Sequence, residues 1–358
     1  FYEPEIITQD FGFLVAEGYV ELEGKSTLKL GRTVTVYSEQ SINPINNATV
    51  FLAGSESGSW QFALEEDGTY AMEGTLPSDQ DYQLRIQIGE HEQYISDWMQ
   101  PAMAPLIEGM FFTREEDGVY IYLNSRGEEN YFLWTTEETW EYRSWFNPMY
   151  RYDPFTNTIV EREKNINLCY QRLETGDIIL GSSAQSSSGE IFGVELMRIP
   201  LYSEKLGTRY SIEVWQRPID KDAFEFWESI RKNTEDLGDI FSPLPAFLGS
   251  NLKKEGDEDY PVIGYISIGK SEKKRLFVEF VDIMPWSARI SDYNHCVMEP
   301  DTLQPHQYAD YFGRPEVEVG LPVIREGRII GWNYTFTNCT DCRLRGGTIE
   351  KPDYWDNY

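Results

Sequence analysis

The sequence is poor in histidine, in cysteine and in basic residues. Its 358 residues include 3 His, 4 Cys and 31 Lys plus Arg against 60 Asp plus Glu, and the net charge is −29. Because clustered Lys and Arg are needed to neutralise phosphates, this charge argues against nucleic acid as a partner and against docking on anionic lipid surfaces. The sequence also lacks any run of about 18 apolar residues, the length needed to span a bilayer.

The motifs of common enzyme classes are missing as well. The sequence contains no G-x-S-x-G elbow, no Walker-type glycine loop and no H-E-x-x-H helix. Acidic clusters occur at Glu115–Asp117, Glu137–Glu138 and Asp257–Asp259, but 60 acidic residues produce such clusters by chance, and a charge run is usually a solvated face. We therefore expect no enzyme and assign no catalytic, cofactor-binding or metal-binding residues. A hydrolase with two carboxylates in one cleft is a minor alternative.

Aromatic residues are abundant, at 15% of the chain. Since aromatic and β-branched residues fit a pleated surface, we expect a β-rich fold whose rings pack on sheets; platforms that stack on sugars are the alternative. The segment DYQLRIQIGE alternates apolar and polar residues as a strand does, and SWQFALEEDGTY does so before a turn at Asp67-Gly68. Such strands, spaced about 8–12 residues apart, predict an immunoglobulin-like β-sandwich over residues 11–105.

A larger β-rich domain is predicted over residues 106–358. It contains β-type segments such as NYFLWTTEETWEY and RYSIEVWQR, and one amphipathic helix at 220–237, which packs against the second sheet. Asp220 can cap the start of this helix and Gly238 suits its end. Beyond Pro285 the sequence predicts loops up to a C-terminal tail. The apolar face of the helix consists of Ala223, Phe226, Trp227 and Ile230.

The four cysteines are Cys169, Cys296, Cys339 and Cys342. A structural zinc site usually needs two closely spaced pairs of ligands, and this sequence has only one close pair of cysteines, Cys339 and Cys342. A redox-active pair usually lies at the start of a helix, whereas the segment TNCTDCRLRGG is typical of a loop. The chain begins without Met, as a mature exported protein does, and an even number of cysteines then favours two disulfides. Three pairings are possible and the sequence does not choose. We favour bridges from the tail to Cys169 and Cys296, each closing a long loop worth about 4 kcal/mol.

Several segments, taken in order, resemble one known family. They are GYVELEG, INNATVFLAG, EDGTY, DYQLRIQI, NYFLWTTEETWEY, EVWQRPIDKDAFEFWESIRKN, DIFSPLPAFLGSNL, PVIGYISIG and CTDCRLRGGTIEKPDYW. Over essentially the whole chain they are similar to the Bacteroidota lipoprotein family catalogued as domain-of-unknown-function family 4249. The C-x-D-C-R tail, followed by Gly-Gly-Thr and Lys-Pro, is the most specific part. The resemblance implies a structural tail pinned by disulfides, not a metal or redox centre.

The resemblance also implies a lipid-anchored protein of the outer membrane. Members carry a lipoprotein signal peptide, so a lipidated Cys is implied immediately before Phe1, and residues 1–10 would form an extended segment after the anchor. Glu3 and Glu5 loosely fit the acidic signal that directs such lipoproteins to the cell surface. Thr302, in an Asp-Thr-Leu triplet, is a candidate for O-glycosylation. Genes of the family neighbour TonB-dependent receptors, so the implied partner is such an outer-membrane β-barrel.

We therefore expect a non-enzymatic lipoprotein on the cell surface that assists a TonB-dependent receptor in nutrient uptake. Its interface candidates are the aromatic insertion at 145–155 and the loops after Pro285, although the insertion could instead pack on its own rings. Two alternatives stay open. One is a glycan-binding module, which needs exposed, coplanar rings on one face. The other is an accessory lipoprotein of outer-membrane protein assembly or secretion. No cofactor is expected, and the ligand is unknown.

Overall fold

The structure, a computed structural model, describes residues 12–34, 43–127, 131–184, 186, 189–235, 249–257, 259–288 and 290–356. The segment predicted for residues 1–10 therefore lies outside the described residues, as do positions 236–238 at the predicted helix end. The described part of the chain is mostly β, which confirms the predicted fold class. None of the helices in these ranges is long and apolar enough to cross a membrane.

The elements are numbered along the chain. The strands are β1 (Leu14–Glu21), β2 (Glu23–Arg32), β3 (Asn43–Pro44), β4 (Ala48–Gly54), β5 (Ser59–Glu66), β6 (Thr69–Thr75), β7 (Tyr82–Ile88), β8 (Glu92–Ser96), β9 (Ala102–Met103), β10 (Ile107–Glu115), β11 (Gly118–Arg126), β12 (Tyr131–Arg143), β13 (Tyr150–Asp153), β14 (Thr158–Glu161), β15 (Leu168–Glu174), β16 (Ile179–Ser182), β17 (Glu190–Pro200), β18 (Arg209–Pro218), β19 (Leu252–Lys254), β20 (Val262–Ile263), β21 (Ile266–Lys270), β22 (Glu272–Glu279), β23 (Glu299–Leu303), β24 (Val317–Arg325) and β25 (Arg328–Phe336). The helices are α1 (Lys221–Glu235) and α2 (Tyr308–Phe312).

The first sandwich is one sheet that folds over on itself. Its strand order is β19-β8-β7-β4-β5-β6-β2-β1-β21-β9, with β20 on β1 and β3 on β2. Because β5 pairs with both β4 and β6, it joins the two halves, which enclose one apolar core. The predicted turn after β5 is present, with positive φ at Asp67 (41°) and Gly68 (75°), as a tight hairpin turn requires. The alternation of β7 places Tyr82, Leu84 and Ile86 in this core.

The strands β19, β20 and β21 belong to the first sheet, although the sequence predicts them in the second domain. The sequence pattern assigns residues 252–270 to the second domain, but β19 pairs with β8, and β20 and β21 pair in parallel with β1. The register between β1 and β21 aligns Gly18 with Ile266 and Val20 with Ile268. The residue pattern of a strand predicts that the strand forms, but it does not indicate which strand some 250 residues away will pair with it. These strands were therefore expected to belong to the same domain as their neighbours in sequence.

The second sandwich consists of two separate sheets. Strands β10-β11-β17 form one sheet, and β15-β12-β18-β22, with β16 also on β12, form the other. Their facing sides enclose a second core. Helix α1 lies between the two sandwiches, since Ala223 and Phe226 pack with Tyr19 and Tyr265 of the first and Ile219 of the second. The predicted cap is confirmed: the Ala223 amide donates to Asp220 Oδ1 at 2.7 Å.

The region after Pro285 contains more regular structure than expected. Strands β23-β25-β24 form a three-stranded sheet, and α2 precedes β24. The sequence pattern of these strands is interrupted by Gly320, Pro322 and Gly331, residues that usually interrupt a strand. The structure accommodates them with register shifts between Val319 and Pro322 and between Val323 and Ile324. The predicted loops are therefore replaced, in part, by a bulged hairpin.

Candidate functional site

Two hairpins that are far apart in sequence pack against each other. The hairpin β13–β14 comes from the aromatic insertion, and β24–β25 comes from the region after Pro285. Tyr150 meets Trp332 edge-on with ring centroids 4.5 Å apart, and an ion pair joins Arg162 to Glu318 at 2.7 Å. The two interface candidates of the sequence analysis are thus parts of one unit, which we call the hairpin unit (β13, β14, β23–β25 and α2). Its rings form a small core of their own.

The two hairpin turns lie toward the same end of this unit. Leu303 of β23 pairs with Trp332 and Glu299 pairs with Tyr334, so β23 runs toward the turn between β24 and β25. Just beyond β23, the Pro305 carbonyl accepts a hydrogen bond from Asn157 Nδ2 at 3.2 Å. Asn157 belongs to the turn between β13 and β14. This bond therefore holds the first turn near the same end as the second.

Large apolar side chains are exposed at this end. Phe155, in the turn of β13–β14, is 97% exposed, and Ile324, which pairs across the strands with Ile329, is 63% exposed. Arg325 and Arg328 flank the turn and are exposed too. We call the exposed apolar residues the hairpin surface. It consists of Phe155, Leu321, Ile324, Ile329 and Ile330.

One disulfide closes the hairpin unit, and the other fastens it to the second sandwich. Cys296 bonds to Cys339 at the end of β25, and Cys169 of β15 bonds to Cys342. The tail cysteines thus pair with Cys169 and Cys296, as favoured in the sequence analysis. The Cys339 carbonyl also accepts a hydrogen bond from the Phe146 amide at 2.9 Å. The spacing of the C-x-D-C pair therefore has a structural role: one cysteine closes the hairpin unit and the next joins it to the second sandwich.

The remainder of the tail lies across the outer face of the second sandwich. Trp355 is buried against Tyr170 and Phe277, with ring centroids 5.3 and 5.6 Å away. Arg275 lies over the Tyr354 ring at 3.5 Å. The Asp-Tyr-Trp segment is thus a packing element that covers a sheet. It contributes no group to a reactive site.

The residues considered for metal or acid chemistry have structural partners. His295 Nε2 lies 3.9 Å from Cys296 Sγ and 3.8 Å from Cys339 Sγ, but these sulfurs are bonded to each other and offer no thiolate. Glu137 and Glu138 point to opposite faces of β12. Burial raises the pKa of Glu137, while Glu138 is 1% exposed and binds Lys205 Nζ at 2.7 Å and the Tyr210 hydroxyl at 2.8 Å.

A cleft of about 560 Å³ between the sandwiches also contains carboxylates. Asp220 caps α1 and accepts a hydrogen bond from the Tyr265 hydroxyl at 3.2 Å, while Asp97 pairs with Lys253 at 3.1 Å. Asp97 and Asp220 are thus engaged in structural contacts. Thr302 lies in β23 and is partly exposed, and its O-glycosylation stays a prediction.

The geometry defines a protein of two β-sandwiches that carries a disulfide-held hairpin unit. A family model described as "Domain of unknown function (DUF4249)" matches residues 2–275, so the chain belongs to this family. The match ends before the hairpin strands β23–β25 and the cysteine tail. No curated protein is significantly similar in sequence.

Solved structures with partial similarity come from several kinds of protein. A two-domain fibronectin type III segment of chicken tenascin has 10% identity and a TM-score of 0.18, over 56% of this chain and 89% of that one. A DUF3823 family protein of Bacteroides ovatus has 10% identity and a TM-score of 0.15, over 57% and 90%. A putative carbohydrate binding protein of Bacteroides uniformis has 6% identity and a TM-score of 0.13, over 56% and 88%. At such TM-scores we take no property from these structures.

Proposed function

We propose that this protein is a non-enzymatic lipoprotein, anchored at the outer membrane through a Cys that precedes Phe1 and facing the cell exterior. There it serves as an accessory subunit of a TonB-dependent receptor in nutrient uptake. The observation that carries the proposal is the hairpin surface. It consists of five exposed apolar side chains on a unit that one disulfide closes and the other joins to the second sandwich, and Phe155, Ile324 and Ile329 lie at the end with the two hairpin turns. The anchor and the partner rest on the family resemblance, and the geometry of the hairpin unit supports the choice of contact surface.

The hairpin surface has the composition of a protein-binding surface. Large apolar side chains supply the buried centre of an interface, and arginine is enriched there. Ile324 and Ile329 form the apolar tip, and Arg325 and Arg328 stand beside it. The chain has a net charge of −29, yet two arginines lie at this tip. The tip therefore suits a partner that has acidic groups around an apolar patch.

A lipid anchor lets a modest interface suffice. Anchoring confines the protein and the barrel to one membrane, so the second contact forms at a high effective concentration. The protein can therefore dock through two hairpin tips without the area that a complex in free solution requires.

The test is a gentle-detergent extraction of the tagged native lipoprotein from its host, with companions identified by mass spectrometry. We expect the wild type to recover a TonB-dependent receptor in near-stoichiometric amount. The double variant Ile324→Asp/Ile329→Asp should lose at least about tenfold of this recovery, because each charge must be desolvated at the contact. Val281→Asp is the matched control, since Val281 is 68% exposed but lies in the second sandwich, outside the hairpin unit.

The outcomes separate the rival roles. A barrel of outer-membrane protein assembly or secretion in place of the receptor would establish that alternative and contradict the uptake role. Recovery of the protein alone, or equal recovery with the Asp variant, would contradict docking through the hairpin surface. Protease treatment of intact cells tests the location, since a surface-facing protein is cleaved before the membrane is opened.

A further inference from the structure

The outer face of the sheet β10-β11-β17 differs from its core face. Along β11, Val119, Ile121 and Leu123 point into the second core, while Tyr120 and Tyr122 point outward and are only half-buried. On β10, Phe111 pairs directly with Tyr122 and is 41% exposed. Three neighbouring rings, one of them exposed and two partly exposed, therefore line the outer face of this sheet.

The rings of Phe111 and Tyr122 are nearly parallel. Their centroids are 5.4 Å apart and their planes differ by 25°. Most other ring pairs in the described part of the chain are tilted or edge-on, and many of these lie in the cores. Tyr120 lies two residues from Tyr122 on the same side of β11, which places it about 7 Å further along the strand. Tyr120 and Tyr122 thus lie along β11, and Phe111 lies beside Tyr122 on the neighbouring strand β10.

Polar groups surround these rings. Arg198 of β17 lies over the Tyr120 ring at 5.7 Å and pairs with Asp117 at 2.5 Å, and the Tyr120 hydroxyl donates to both Asp117 oxygens at 3.1 Å. Glu195 is exposed and pairs across the strands with Tyr122. A guanidinium has five donors and a carboxylate about four acceptor positions, so Arg198, Asp117 and Glu195 can bind further hydroxyl groups.

We propose that this face binds a neutral glycan. A sugar ring has an apolar face of C–H groups and a rim of hydroxyl groups, and this sheet face presents partly exposed aromatic rings with charged hydrogen-bonding groups at its side. The net charge of the chain, −29, disfavours binding of anionic polysaccharides. We therefore expect the ligand to be a neutral polysaccharide. The rings lie along adjacent strands of an open sheet face, which suits the side of an extended chain rather than a single enclosed sugar. This site is separate from the hairpin surface and does not depend on the proposed partner.

The test is native gel electrophoresis through gels that contain one neutral soluble polysaccharide each: a β-glucan, a xylan or a galactomannan. We expect retardation of the wild type in at least one gel. The double variant Phe111→Ala/Tyr122→Ala should weaken binding roughly tenfold, because the stacking surface is removed while the core side of the sheet is unchanged. Phe155→Ala is the matched control, since it removes a more exposed ring from the hairpin surface and should leave retardation unchanged. Circular dichroism checks that both variants fold.

Three results would overturn the proposal. The first is migration of the wild type without retardation in all three gels. The second is retardation that the Phe111→Ala/Tyr122→Ala variant keeps, which would place the glycan elsewhere on the protein. The third is loss of barrel recovery by this variant in the detergent extraction, combined with no retardation in any gel. That result would identify the face as a protein interface.

Discussion

The two sandwiches are stabilised in different ways. The first encloses a core of aliphatic and aromatic side chains, and strands from both ends of residues 14–270 complete its single sheet. In the second, the charged pair Glu138–Lys205 lies against the core ring of Trp140. A disulfide on β15 and the buried tail residue Trp355, which contacts β15 and β22, lie at the same sheet. The comparison indicates that the second sandwich, to which both proposed binding surfaces are attached, is fastened by a disulfide and by the C-terminal tail, whereas the first contains no cysteine and encloses an apolar core.

The largest test of this comparison removes a disulfide. The variant Cys169→Ser/Cys342→Ser should lower the free energy of unfolding of the second sandwich by about 4–5 kcal/mol, because the bridge closes a long loop in the unfolded chain. Hydrogen exchange followed by mass spectrometry resolves the two regions. We expect faster exchange in peptides from β12, β15 and β18. Equal acceleration in β4 and β7 would show that the two sandwiches unfold together and would contradict the comparison.

A smaller effect is expected from the tail ring. Trp355→Ala removes a buried side chain from the outer face of the second sandwich and should cost about 3 kcal/mol, the range for large-to-small changes at buried rings. Protection should fall first in β15 and β22, whose Tyr170 and Phe277 contact this ring. Trp98→Ala is the control, since Trp98 is half-exposed on the first sandwich and its loss should cost less than about 1 kcal/mol. Similar losses from both variants would show that the tail ring is not a fastening element.

The smallest effect is a pH dependence within the hairpin unit. Burial raises the pKa of Glu318, although the Arg162 guanidinium opposes the shift. Because the folded-state pKa lies above the unfolded value, this carboxyl contributes stability below about pH 4.5 that is lost as the pH rises through the raised pKa. Glu318→Gln should therefore make the free energy of unfolding of the hairpin unit less dependent on pH.

Exchange protection of β24 and β25, measured between about pH 4 and pH 8 with correction for intrinsic rates, checks this expectation. Glu316→Gln is the matched control, because Glu316 is exposed two residues away. An unchanged slope in the Glu318 variant would mean that the carboxyl does not control this dependence.

Local signals accounted for much of the fold. Alternation predicted β7, the Asp67-Gly68 pair predicted the turn between β5 and β6, and Asp220 with an apolar face predicted α1. The strands β24 and β25 were missed because Gly320, Pro322 and Gly331 interrupt their pattern, and bulges that accommodate such residues depend on tertiary contacts. The pairing of β21 with β1 has no local signal at all.

The binding surfaces were predicted less completely. The insertion at 145–155 and the region after Pro285 were both identified as candidates, but their contact through Tyr150 and Trp332 depends on the fold. Alternation in β11 separates Tyr120 and Tyr122 from the core residues Val119 and Ile121, yet it does not reveal which side is exposed. The strand pairing of Phe111 with Tyr122, which only the structure shows, brings these two rings together on the outer face of the sheet.

The disulfide pattern has a consequence for the order in which the chain can mature. Both native bridges need Cys339 or Cys342, which are the last cysteines to leave a ribosome or an export channel. Until they emerge, Cys169 and Cys296 can react only with each other within the chain, and that bond is non-native. Early oxidation would therefore require later thiol–disulfide exchange by a thiolate from the tail. A protein built in this way benefits from a compartment that reshuffles disulfides as well as one that forms them.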